Sequence, residues 1–333
     1  MESMLLITVV IVLAALTFDL INGFHDTANA IATSVSTKAL KPRHAIVMAA
    51  TMNFIGAVSF TGVAKTITKD IVDPFRLPHG EIVLLAALLS AIAWNLLTWY
   101  FGIPSSSSHA LIGSIAGAAI AAAGFGSIEY SGFLTIIVGL IASPFIAFAV
   151  GYLIYTIFKL TLKNLNLAST NRNFRYIQVF TAALQSYTHG TNDAQKSMGI
   201  ITLALIANGF QTGDDVQLWV QVSCALAMAI GTSIGGWKII QTVGGKIMKI
   251  KPVNGVAADL SSVIIIFGAT FIHLPVSTTH VISSSILGVG TSHRVKGVKW
   301  DTAQRMVITW IITLPISALF AGALYFLLHL FLS

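Results

Sequence analysis

Two short stretches of the chain carry the same chemistry. Pro104 to His109, read PSSSSH, and Pro275 to His280, read PVSTTH, each set a run of hydroxyls between a proline and a histidine, inside apolar surroundings. Proline suits the first turn of a helix, where its fixed φ fits and its missing N–H is not needed. Residues 105–108 and 276–279 are therefore expected to be the first turns of two short helices. Helix N-termini hold anions, because their unpaired N–H groups and positive dipole end point outward. Ser105, Ser106, Ser107, Ser277, Thr278 and Thr279 add neutral donors without the cost of burying charge. Such a site suits a small oxyanion, phosphate or sulfate, that must be released again. A single Ser/Thr run reads first as a cap or a helix-packing surface; two copies favour a ligand. His109 and His280 are expected to satisfy backbone or hydroxyl partners.

A second pair of motifs supplies the opposite charge. NGFHDTANA at 22–30 aligns with HGTNDAQKS at 189–197, placing Gly23 on Gly190 and Asp26 on Asp193. Carboxylates in an apolar setting are costly and mark function. Each follows a glycine by three residues, which suggests a helix break that frees backbone carbonyls. With the amides of Asn22, Asn29, Gln185 and Asn192 these groups form a hard oxygen site for a monovalent cation, sodium at Asp26 and Asp193. Asn22 and Gln185 are also placed on the anion, leaving Asn29 and Asn192 to the cation. Lys196 has no counterpart, since Asn29 lies opposite; it pairs with Asp193 one turn away or helps to hold the anion. Asp19, opposite Ser186, reads as structural or functional alike. Arg305 and Trp310 are expected to anchor the last span.

These residues need elements that bury them. Of 333 residues 55% are hydrophobic and 9% charged, against roughly 25% charged in an average soluble domain. Apolar stretches at 4–21, 44–64, 82–101, 132–158, 176–206, 217–236 and 302–332 are near or beyond the ~20 residues of a membrane span, so the chain is a polytopic helical membrane protein. The leading segment carries Glu2 and no Lys or Arg, unlike a secretory signal, and is expected to be retained as a span. The lone Cys224 forms no internal disulfide and is expected to fill core.

The net charge of +7 gathers in short loops: Lys38, Lys41 and Arg43; Lys159, Lys163, Arg172 and Arg175; Lys238, Lys246, Lys249 and Lys251; and Arg294, Lys296, Lys299 and Arg305. The 65–81 loop has mixed charge, and the 124–131 and 207–216 loops hold only acids. This is positive-inside bias rather than a nucleic-acid surface. With the basic loops in the cytoplasm, both termini lie outside. Ser106 falls on Ser277, Ser108 on Thr279, and Pro144 on Pro315, all at the spacing that carries Pro104 onto Pro275. The expected fold is thus an all-α polytopic membrane protein of two inverted-topology repeats, with broken helices and paired hairpins meeting near the midplane. Residues 1–158 form one repeat, 159–175 a basic cytoplasmic linker, and 176–333 the second. Charge alone leaves open whether the segments around 104 and 275 cross fully or meet halfway.

The chemistry excludes several classes. VGGKIMK at 243–249 has Ile247 where a phosphate-binding loop needs a hydroxyl residue, so this chain does not hydrolyse ATP. Adjacent Ser108 and His109 point apart on a helix, and no oriented triad can be assembled. A passive anion channel would use the hydroxyl turns but has little need of two buried acids.

The two copies of Gly-x-x-Asp at Gly23–Ala30 and Gly190–Ser197, with the Pro-Ser/Thr-His turns, resemble the inorganic phosphate transporter family over nearly the whole chain. His25 departs from the asparagine of the family signature, which Asn192 keeps, and the joining segment is short, as in compact prokaryotic members. The resemblance implies a plasma-membrane symporter for inorganic phosphate, driven by sodium or protons, with the signature aspartates serving coupling. Sodium is preferred because carbonyl, amide and hydroxyl oxygens coordinate a metal ion but add nothing to proton carriage. A proton-coupled permease, for phosphate or sulfate, is the alternative. No bound cofactor and no nucleic acid are expected; a homodimer in lipid is implied by the family alone.

Overall fold

Caps and prolines set where the helices begin. The computed structural model describes residues 2–72, 77 and 79–332. Its helices are α1 (Glu2–Ser36), α2 (Pro42–Ala57), α3 (Gly62–Asp70), α4 (Gly80–Phe101), α5 (Ser107–Ala123), α6 (Tyr130–Thr161), α7 (Leu167–Ala207), α8 (Leu218–Ile234), α9 (Trp237–Gln241), α10 (Pro252–Phe271), α11 (Thr278–Arg294) and α12 (Trp300–Leu332). A π turn, Thr242–Lys246, extends α9. Pro42 and Pro252 occupy the first turns of α2 and α10. Among the described residues the sole strand-like pairing is an isolated bridge between Val72 and Ile128. Asp73 and Arg76 of the mixed-charge loop lie outside the described residues, as do the side chains of Glu2 and Lys69.

Among the described residues, five helices are long and apolar enough to cross a membrane: α1, α4, α6, α10 and α12. The pairs α2–α3 and α8–α9 are bent by 66° and 65°, and counting each as one broken span brings the number to seven. The chain is thus a multi-pass helical membrane protein, with leucine, isoleucine and phenylalanine exposed along α6 and α12. The 176–206 segment, expected as a plain apolar span, is the body of α7, and it is not among the five. Its polar side chains, from Gln178 through Gln185 to Ser197, are buried by neighbouring helices instead. Polar groups at membrane depth are tolerated where protein encloses them.

The breaks do not fall at the signature glycines. Helices α1 and α7 run unbroken for 35 and 41 residues, through Gly23–Asp26 and Gly190–Asp193. Close packing explains those glycines. A Cβ on Gly23 would lie 2.3 Å from the Met228 carbonyl oxygen of α8, and one on Gly190 would lie 2.3 Å from that of Asn53 on α2.

Helices pack across the two halves of the chain: α1 on α8, α7 on α2, α5 on α12, and α11 on α6. Contacts sort the loops into two ends. At one, Asn208 donates to Thr8, Lys65 pairs with Asp215, and His79 meets His329. At the other, Thr37 donates to Gln178, Tyr155 meets His293, and the Lys299 N–H reaches the Ile247 carbonyl. Both chain termini therefore lie at the first end. Two apolar clusters form the core. One contains Ile11, Phe18 and Met198, the other Ile31, Ile239 and Ile286. Asp26 falls between the parts of α1 that join them, so the polar residues form a layer between two apolar ones.

The hairpins α4–α5 and α10–α11 repeat one another in detail. Ser114 donates to Ser90 at 3.0 Å in the first, and Ser285 to Ser261 at 3.0 Å in the second. Their tips meet inside the protein, where Ser108 Oγ donates to the Val276 carbonyl at 2.9 Å.

Candidate functional site

The hydroxyl turns begin slightly later than the prolines suggest. Ser106 and Ser277 are the N-caps of α5 and α11, in extended backbone, and their side chains accept from His109 N and His280 N at 3.1 and 3.2 Å. Ser105 and Val276 thus precede the helices, and Pro104 and Pro275 lie outside the first turn. The cap geometry decides this, because an N-cap residue keeps non-helical φ and ψ. Ser106→Ala and Ser277→Ala are each expected to cost about 1 kcal/mol of stability, read as a lower melting temperature in detergent. An unchanged melting temperature with weaker anion affinity would return these hydroxyls to the ligand.

The next residues reach the carboxylates. Ser107 Oγ donates to Asp26 Oδ2 at 2.6 Å, and Thr278 Oγ1, its counterpart, donates to Asp193 Oδ2 at 2.9 Å. Thr279 crosses between halves, donating to Asp26 Oδ1 at 2.8 Å and accepting from Asn29 Nδ2 at 2.8 Å. His25 Nδ1 lies 2.7 Å from Asp26 Oδ1. Its Nε2 continues through Thr98 at 3.2 Å to Ser105, whose Oγ is 2.7 Å from Thr98 Oγ1. Asp193 Oδ1 is taken by Lys196, whose side chain is wholly buried. Of the two roles open to Lys196, the structure shows the ion pair.

Asp26, His189 and Asp193 offer three ligand atoms within 4.8 Å of one another. His189 Nε2 is 3.1 Å from Asp193 Oδ2, out of line for a hydrogen bond, while its Nδ1 is 2.9 Å from Asn53 Oδ1. Two carboxylates this close repel in a buried setting, and Lys196 on Asp193 offsets part of that repulsion. Carboxylate oxygen suits a hard cation; the imidazole is the softer ligand.

The amides divide. Asn192 supports the second hairpin: Oδ1 accepts from Val276 N at 3.2 Å, and Nδ2 donates to the Leu274 carbonyl at 3.2 Å. Its oxygen is therefore engaged by backbone. Asn29 keeps a buried Oδ1 without a partner, and Asn22 and Gln185 have none for either amide atom; nor does Asn95 of α4. A buried polar group left unpaired costs ~1–3 kcal/mol, which a polar ligand would recover.

Spacing in the sequence leaves some participants unmarked. His189 is one turn before Asp193 and opposite Asn22 in the repeat, a signal the alignment contains; Thr98 and Asn95 carry none, since they reach the site only through the fold. Trp310, expected to anchor the last span, fastens α12 from inside the protein. It is buried, donates to the Pro104 carbonyl at 3.2 Å, and stacks on His280, centroids 4.1 Å apart. His280 in turn meets His109 at 4.5 Å, and His109 Nδ1 lies 2.8 Å from Ser106 Oγ, the hydroxyl partner expected of it. Asp19 accepts from Ser197 at 2.7 Å, tying α1 to α7. A cavity of 1140 Å³ is an apolar groove between α6 and α12 floored by these two histidines, and neither carboxylate lines it.

Fold and site together define a polytopic membrane protein of the transporter class, with a buried polar layer between two apolar ones. Residues 22–321 match the phosphate transporter family, and the chain belongs to it. It is 71% identical over 331 residues to a probable low-affinity inorganic phosphate transporter of Bacillus subtilis, covering 99% of each chain. A protein of the same description from Rhizobium meliloti is 43% identical, covering 95% of each. In structure the chain is similar to a solved sodium-dependent phosphate transporter, with a TM-score of 0.86 over 98% of this chain and 99% of that one, at 24% identity. That likeness fixes the fold.

Proposed function

We propose that the chain is a secondary symporter that imports inorganic phosphate with a cation, sodium, by alternating access across the plasma membrane. One observation carries this: in each half of the chain a hydroxyl suited to the anion donates directly to a carboxylate suited to the cation, Ser107 to Asp26 and Thr278 to Asp193. While Asp26 is bare, the Ser107 and Thr279 hydroxyls point at it. A cation on Asp26 weakens its claim on them, and they turn to phosphate together with Ser105, Asn22 and Gln185. The anion then binds only when the cation is present, which is the condition for symport. The relatives that bear the phosphate transporter description support the substrate. The recurring hairpin contacts and the loop charges support inverted repeats of residues 1–158 and 176–333 joined by 159–175, with the basic loops in the cytoplasm and both termini outside.

Proton coupling is favoured by a separate observation: His25 and Lys196 already partner the two acids, so protonation alone could release the hydroxyls. Uptake of labelled phosphate into proteoliposomes separates the two. A sodium gradient alone is expected to drive accumulation and a pH gradient alone to leave the labelled phosphate equilibrated; uptake indifferent to sodium rejects sodium coupling.

A further inference from the structure

A second polar site lies far from the carboxylates, where the halves join. A cavity of 340 Å³ opens between the end of α6, the start of α7 and the feet of α10 and α11, at the lower end of ordinary ligand pockets, roughly 300–1,000 Å³. Lys159, Lys163, Lys251 and His293 surround it, and no Asp or Glu lines it. The lysines are exposed, whereas the floor is not: Tyr155 is 8% exposed, Thr170 9% and Asn254 2%. Tyr155 OH lies 2.6 Å from His293 Nδ1, and Asn254 Oδ1 accepts from Lys251 N at 3.0 Å. Asn254 Nδ2 is buried without a hydrogen-bond partner among the described residues. Positive-inside bias explains lysines in these loops. It does not explain Lys159 and Lys163 at the end of α6 and Lys251 at the foot of α10 converging on one concavity with a hydrogen-bonding floor.

We propose that this cavity binds a phosphate group. Each lysine brings up to three donors and no acceptor, so the site is matched to an anion with several oxygens. Two sources share that chemistry: free orthophosphate on the basic side of the protein, and the headgroup of an anionic phospholipid. Basic pockets between membrane helices take such headgroups, and Ile157 and Leu160 of α6, close by in sequence, are exposed apolar residues. Either occupant touches both halves of the chain and the linker between them, so its binding stabilises their junction. The site is independent of the carboxylate layer, and its failure would leave the transport assignment untouched.

Melting temperatures of the purified full-length protein in neutral detergent test this, with dioctanoyl phosphatidylglycerol, inorganic phosphate and dioctanoyl phosphatidylcholine as probes. A rise with phosphatidylglycerol identifies the lipid source, and one with inorganic phosphate the free anion. In either case the triple variant Lys159→Gln, Lys163→Gln, Lys251→Gln is expected to lose about 100-fold in apparent affinity, and the triple arginine variant to keep it. A phosphate-induced rise that survives the glutamines belongs to another site and counts against the proposal. So does phosphatidylcholine matching phosphatidylglycerol, or no rise with either anion. Exposed lysines are replaceable with little effect on folding. Should the triple variant fail to fold, the three single glutamine variants are each expected to lose about 5-fold, and unchanged affinity in all three overturns the site.

Discussion

Asp26→Asn is expected to abolish accumulation of phosphate against a gradient, reducing the initial rate of sodium-driven uptake by about 100-fold or more. Asp26 accepts from Ser107 and Thr279 and contacts His25, all buried. An asparagine has nearly the same shape but no charge and one acceptor oxygen. Its amide N–H groups would face a hydroxyl that already donates. Breaking a buried charge network by one partner costs ~3–5 kcal/mol, and 1.4 kcal/mol is tenfold, so 100-fold is the modest end. Asp193→Asn differs, because it strands the fully buried Lys196, and its first effect is on stability, by ~3–5 kcal/mol. Asp193→Asn combined with Lys196→Met removes the pair together and is expected to restore the melting temperature while leaving uptake lost. Proteoliposome uptake and thermal denaturation of the four proteins are the measurements. Normal accumulation by Asp26→Asn would remove this carboxylate from coupling and favour a passive pathway, in which the hydroxyl turns alone conduct the anion.

Much of this layer is legible from residue types and spacing. The repeated Pro-hydroxyl-His turns identify two hairpin tips, and the structure brings those tips together. Asp26 and Asp193 are marked by their cost in apolar surroundings, and Ser107 and Thr278 meet them at equivalent positions. What escapes is whatever depends on a neighbour supplied by another helix. Lys196 has two plausible partners in sequence, and only packing decides for Asp193. Asn192 looks like a free oxygen ligand until the 272–277 turn folds over it and takes that oxygen. Trp310, near the start of α12, reads as an anchor of the last span; its partner, the α4–α5 tip approaching from the other half, is supplied by the fold. The real bends, at residues 58–61 and 235–236, carry no signature motif, whereas the glycines that do suggest a break sit at helix crossings.

Those crossings make the remaining large prediction. Gly231 of α8 lies so close to α1 that a Cβ would stand 1.9 Å from the Leu20 carbonyl oxygen, and Gly23 opposes it from α1. The α2–α7 crossing is built alike, with Gly56 against the Tyr187 carbonyl at 2.2 Å and Gly190 against that of Asn53. The obstructing atoms are backbone, which cannot rotate away as a side chain can. A single methyl must then push two helices apart at the level of Asp26 or Asp193. Overpacking of this kind costs ~1–3 kcal/mol or more, and close helix approach through small residues is what holds membrane helices together where lipid supplies no hydrophobic drive. Gly231→Ala and Gly190→Ala are therefore expected to lower the melting temperature by about 2 °C or more and to cut uptake, since both displace a carboxylate from its hydroxyl partners. Gly268→Ala in α10 is the control: a Cβ there meets nothing within 4 Å, and replacing a helical glycine by alanine is worth up to ~1 kcal/mol in favour of folding. Equal melting temperatures for Gly231→Ala, Gly190→Ala and Gly268→Ala would show that the crossings yield freely, and that the glycines serve the signature in some way other than packing.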